Sequence, residues 1–141
     1  MKKYISLIYV FFLAIILLII ILNSDQQFDE NIIYGNWAGK LDDKELALTF
    51  NQDQTCELFI NNLSVEDSLI FIGNFEIDFS KKPISLSIKN ISNLDHPIHT
   101  IIEFKNKNEL RLGDFAKRWR LRPITFDYNK HIILNKGKQS G

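Results

Sequence analysis

From Tyr34 onward, apolar and polar side chains alternate in short runs separated by turn-forming residues. That period of two is the signature of antiparallel strands. Gly35-Asn36-Trp37-Ala38-Gly39-Lys40-Leu41 reads as a first strand, Asp42-Asp43 as a turn, and Leu46, Leu48 and Phe50 as one face of a second strand. Asn51-Gln52-Asp53-Gln54 turns the chain into a third, with Cys56, Leu58 and Ile60 on one side. The long run from Ser68 to Phe79 keeps Leu69, Phe71, Phe75 and Ile77 in phase, with Gly73 between them as an expected bulge or bend. Ser80-Lys81-Lys82-Pro83 leads to Ile84, Leu86 and Ile88 alternating with Ser85, Ser87 and Lys89, a strand with one wet face. Ile98 to Lys105, Glu109 to Leu112 and Arg118 to Phe126 continue the series, and Ile132-Ile133-Leu134 adds a short last strand. No stretch after residue 22 sustains a helical period. Hairpin-connected strands of this kind predict an all-β, antiparallel up-and-down barrel of about eight strands, because closure removes the edges that an open sheet must protect.

The first residues follow another pattern. Tyr4 to Leu22 is apolar almost throughout, with Ser6 the one clearly polar side chain. As a helix, about 19 residues span roughly 28 Å, close to the hydrocarbon thickness of a bilayer. Ile21-Leu22-Asn23-Ser24-Asp25 offers no A-x-A-like cleavage site. The single cysteine, Cys56, lies too far downstream to carry a lipid. The run therefore predicts one N-terminal transmembrane helix, an uncleaved signal anchor. Lys2 and Lys3 hold the N-terminus in the cytoplasm, and Asp25, Asp29 and Glu30 follow on the far side. The expected organisation is an anchor over 1–22, a polar stalk over 23–33, a barrel over 34–135 and a frayed tail over 136–141. The barrel then stands on the outer, periplasmic side of a bacterial cytoplasmic membrane.

Charge narrows the function. The chain carries 17 basic and 17 acidic residues, and setting aside Lys2 and Lys3 leaves the exported part with a net charge of −2. Nucleic-acid domains are usually visibly basic, so no nucleic-acid partner is expected. One cysteine cannot form an internal disulfide, so about 105 residues must stabilise the fold by apolar burial alone.

Gly35-Asn36-Trp37 resembles the Gly-x-Trp that opens the first strand of lipocalins and related calycin barrels. Gly73-Asn74-Phe75-Glu76-Ile77-Asp78-Phe79-Ser80-Lys81-Lys82-Pro83, followed by Arg122-Pro123-Ile124-Thr125-Phe126, is similar to a small bacterial lipocalin-like family best represented in Planctomycetes. The resemblance spans roughly Tyr34 to Phe126. It departs from the family pattern at Ile84-Ser85-Leu86-Ser87, which has no acidic residue, and at His99 to Phe104, which has no glycine. The resemblance implies a barrel. It also implies a structural latch at the closed end, in which a late-strand arginine, Arg120 or Arg122, packs over Trp37. It transfers no established activity.

The densest mixture of charge and aromatic surface is Lys117-Arg118-Trp119-Arg120-Leu121-Arg122-Pro123. Strand parity would put Trp119 and Leu121 on one face, and Arg118, Arg120 and Arg122 on the other. Three guanidiniums on one face suit an anion or a partner surface, and a solvated outer face is the structural alternative. His96, His99 and His131 read as loop or surface histidines, since strand residues three apart point to opposite sides, so neither a metal nor another cofactor is expected. Asp78 suits an Asx turn, and Cys56 a small core position. No nucleophile–base, phosphate-loop or metalloprotease motif is present, so the chain reads as a non-enzyme.

Two functions fit these features. One is a membrane-anchored lipocalin-like domain binding a small apolar or amphiphilic ligand, with Leu48, Leu58, Phe71, Phe75 and Phe104 lining the lumen beside Leu46, Leu86 and Ile98. The other is a filled, non-catalytic barrel serving as a structural or protein-interaction module of a membrane complex. The expected partners are accordingly the cytoplasmic membrane, through Tyr4 to Leu22, and a lipophilic ligand or a membrane protein.

Overall fold

A computed structural model describes residues 11–19, 28–65 and 67–137. Among the described residues, eight strands follow one another: β1 (Gly35–Leu41), β2 (Lys44–Phe50), β3 (Thr55–Asn62), β4 (Asp67–Asp78), β5 (Ile84–Lys89), β6 (Ile98–Asn106), β7 (Glu109–Leu112) and β8 (Ile132–Lys136). Each pairs antiparallel with the next, and β8 pairs antiparallel with β1, so the sheet closes into a barrel. The seam is short, with Trp37 opposite Lys136 and Ala38 opposite Asn135. The first hairpin turns at Asp42, whose φ of 52° lies in the left-handed region that an aspartate tolerates better than a branched residue.

Alternation decides the inside. Trp37, Leu48, Leu86, Ile102, Leu110 and Leu134 have essentially no exposed surface and form one cluster with Phe50, Cys56, Leu58, Phe75 and Phe104. Rings fill its middle. Phe50 meets Phe75 edge-on at 4.9 Å, and Trp37 meets Phe104 at 5.9 Å. The five residues expected to line a lumen all take inward positions: Leu48, Leu58, Phe75 and Phe104 are buried and Phe71 is half-buried. Gly73 is not a bulge. The β3–β4 register runs through it without a shift, with Cys56 opposite. A Cβ there would meet Lys89 O at 2.7 Å, so the glycine serves close approach of the β5 end.

Four expectations need correction. Arg118 to Phe126 is not the closing strand. After β7 the chain runs along β6, with Ala116 bridging His99, turns through a 3-10 helix at Trp119–Leu121 and reaches β8 only at Ile132. The polar face of β5 is not wet, since Ser85 and Ser87 are both buried. The end of the stalk is folded, with a 3-10 helix over Glu30–Ile33 that buries Ile33, while Phe28 packs on Phe104 at 5.7 Å. The expected tail begins too early, because Lys136 ends β8 and Gly137 N donates to Asn36 O at 2.8 Å.

Of the expected anchor, residues 11–19 form a helix with exposed apolar side chains, and the rest of the run lies outside the described residues. Among the described residues, no helix is long and apolar enough to cross a membrane.

Candidate functional site

Side chains that point out of the barrel from β4 and β5 meet across the ladder. Asn74 is opposite Lys89, Glu76 opposite Ser87, and Asp78 opposite Ser85. They floor an open groove of about 1030 Å³, with Trp119 as one wall and the 3-10 helix of Glu30–Ile33 at one end. Glu76 and Lys89 form an ion pair across the floor. Asp78 Oδ1 accepts the backbone N–H of Ser80 at 3.0 Å, the Asx turn expected from sequence. The Ser80 hydroxyl is the largest cause of a carboxyl pKa below its ordinary value.

At the wall, His99 is 7% exposed, and its Nδ1 lies 2.9 Å from Ser87 Oγ, itself 5% exposed. The β5–β6 register creates this pair by placing Ser87 opposite His99 on the outer side. Trp119 sets its ring edge-to-face against His99, 5.5 Å between centroids. Arg122 stacks on Trp119, its guanidinium carbon 3.9 Å from the ring centre. Serine, histidine, tryptophan and arginine thus clasp the 113–131 excursion to the barrel wall. Burial first, then the positive charges of Lys89 and Arg122, push the His99 pKa below its ordinary value of 6.5. In a serine–histidine–aspartate triad a carboxylate stabilises the imidazolium, whereas the charges nearest His99 disfavour it.

That shift has a measurable consequence. The folded chain favours neutral His99, so its stabilisation is complete above pH 6.5 and is lost as the pH falls below it. The wild-type unfolding midpoint is expected to drop on acidification from pH 7 to 5, and the slope to flatten in His99→Gln. Urea titrations across that range read both.

The arginine patch does not share one face. Arg118 and Arg120 are exposed on the excursion, whereas Arg122 is half-buried on Trp119. Trp119 and Leu121 are not core residues, at 40% and 68% exposed. Nor does an arginine latch Trp37. Lys136 takes that place, with Nζ 5.1 Å from the Trp37 ring centre and donating to Ile32 O at 2.7 Å. Burial lowers its ammonium pKa. Trp37 Nε1 donates to Ile33 O at 2.7 Å, so the latch ties the first and last strands of the barrel to the 3-10 helix before β1. Sequence did hold a signal for this. Ile132, Leu134 and Lys136 share a parity, which points the lysine inward with the two core residues. The Ser87–His99 pair had no such signal, since it depends on the register across the 90–97 loop.

A second cleft, of about 840 Å³, lies on the other side of the same 3-10 helix, between the β4–β5 hairpin and the end of β6. Of the expected ligand-binding residues, Phe75 lines the groove and Phe104 the second cleft, while Leu48, Leu58 and Phe71 line neither. Among the described residues, no group of three or more His, Cys, Asp or Glu is placed to hold a metal ion. No protein-family model matches the chain, and no curated protein or solved structure is significantly similar to it.

Proposed function

We propose that the chain is a membrane-tethered, non-catalytic barrel that works through its outer surface. It is an interaction module held on the outer side of a cytoplasmic membrane. The observation that carries this reading is the packing of the interior, where Trp37, Leu48, Leu86, Ile102, Leu110 and Leu134 leave no exposed surface and aromatic rings meet across the middle. A lumen able to hold a ligand would need that volume free. The apolar run from Tyr4 to Leu22, with Lys2 and Lys3 before it, supports the tether. The clasped excursion supplies the contact surface, with Arg118, Arg120 and Leu121 exposed around Trp119.

The test is photo-crosslinking in cells from a reactive residue at Leu121, using the full chain. A discrete protein adduct that disappears in Arg118→Glu/Arg120→Glu, with the unfolding midpoint unchanged, is the expected result. An adduct indifferent to charge reversal, together with an apolar small molecule retained by the purified protein, would instead favour ligand carriage.

A further inference from the structure

At the end of the barrel where the chain enters, the wall is incomplete. β5 begins at Ile84, opposite Ile102, so the last residues of β6, from Glu103 on, have no neighbour on that side. The second cleft is this slot. It is lined both by outward residues such as Lys105 and by inward Phe104, with Phe28 and Phe79 behind. Phe79 stacks parallel to Phe104, with centroids 6.5 Å apart, and Phe28 closes on the same ring, so the floor is aromatic. The rim is cationic. Lys81, Lys82 and Lys105 line it together with two carboxylates, Glu30 and Glu103. Glu103 is already engaged by Lys105 at 2.8 Å and by Arg111 at 3.2 Å.

We propose that this slot takes the headgroup and upper acyl chain of an anionic phospholipid. The assignment rests on the tether reading above, and the tether supplies the ligand. Five residues separate Leu22 from Phe28, which itself lines the slot. Fully extended, that connection reaches at most about 21 Å. An inserted apolar run therefore holds the slot at the membrane surface, where lysines and aromatic rings over an apolar floor suit the interface between headgroup and acyl chain. An interior too full for a ligand and a slot open beside the bilayer are compatible, because the lipid enters only where the wall is missing.

The test uses the full chain in nanodiscs of phosphatidylcholine alone or mixed with phosphatidylglycerol. An environment-sensitive fluorophore is attached at Ser80→Cys, a residue of the slot lining. Labelling is selective because Cys56 is buried and its thiol pKa is pushed up to about 11. Phosphatidylglycerol is expected to brighten the label, and doxyl-labelled phosphatidylglycerol to quench it. The half-saturating fraction of phosphatidylglycerol should rise about fivefold in Lys81→Gln and again in Lys105→Gln. Lys44→Gln, at the opposite end of the barrel, should leave it unchanged. Identical emission in both discs, or an equal effect of Lys44→Gln, overturns the proposal. Failure of the chain to co-elute with either disc overturns the tether reading first and the proposal with it.

Discussion

Gly39→Ala is expected to prevent the barrel from closing. A Cβ at that position would stand 2.1 Å from Ile133 O and 2.9 Å from Leu134 Cδ2. The first of these is a backbone atom of β8, which has no rotamer with which to yield. Relief requires β1 and β8 to separate, and they are joined through only two paired positions. The loss should exceed about 4 kcal/mol, the range reserved for named structural faults, against the roughly 5–15 kcal/mol that holds a small domain together. Far-ultraviolet circular dichroism and urea unfolding of the full chain will read it. Gly137→Ala is the matched control, since its Cβ would have only ordinary contacts of 3.6 Å and beyond, and a change within about 0.5 kcal/mol is expected there. Equal stability of the two variants would mean that the seam is looser than its geometry.

Trp37→Ala ranks second, at an expected cost of about 4 kcal/mol. The side chain is fully buried between Phe104 and the ammonium of Lys136. Its removal opens a large cavity and also strips the 2.7 Å hydrogen bond from Ile33 O. Trp37→Phe separates these effects, because it keeps most of the volume and loses only the N–H. It should cost about 1–2 kcal/mol, the penalty for leaving a buried carbonyl unpaired. Urea midpoints of the two variants measure both costs. A Trp37→Phe variant as unstable as Trp37→Ala would place the latch energy in the hydrogen bond rather than the packing.

The parts of the fold that could be read from sequence are those where one strand face is apolar and the turn residues are local. β1, its Asp42-Asp43 turn and β2 follow directly from alternation, and so does the inward placing of Cys56. The stretch around Trp119 misled for a physical reason. Arginine alternating with tryptophan and leucine mimics a strand, yet Arg122 sits on Trp119, three residues away. Side chains three apart eclipse in a 3-10 turn and face opposite ways in a strand. The segment's tryptophan serves a clasp instead of the core, and Leu121 is left exposed. Arg122 thereby becomes unavailable for Trp37, and the cation over that ring comes from the next stretch of chain.

The seam also bears on synthesis. Trp37 and Lys136 lie about a hundred residues apart in sequence, and their pairing is what turns a curled sheet into a barrel. Loop closure over that distance must precede any gain from the contact, which makes the last step slow. Until Ile132–Lys136 has emerged, a growing chain holds seven strands with β1 and β7 as bare edges, the form most open to wrong pairing. A chain cut before β8 is therefore expected not to fray from a finished barrel but to lose the means of finishing it, and the emergence of β8 sets when the barrel becomes safe from its neighbours.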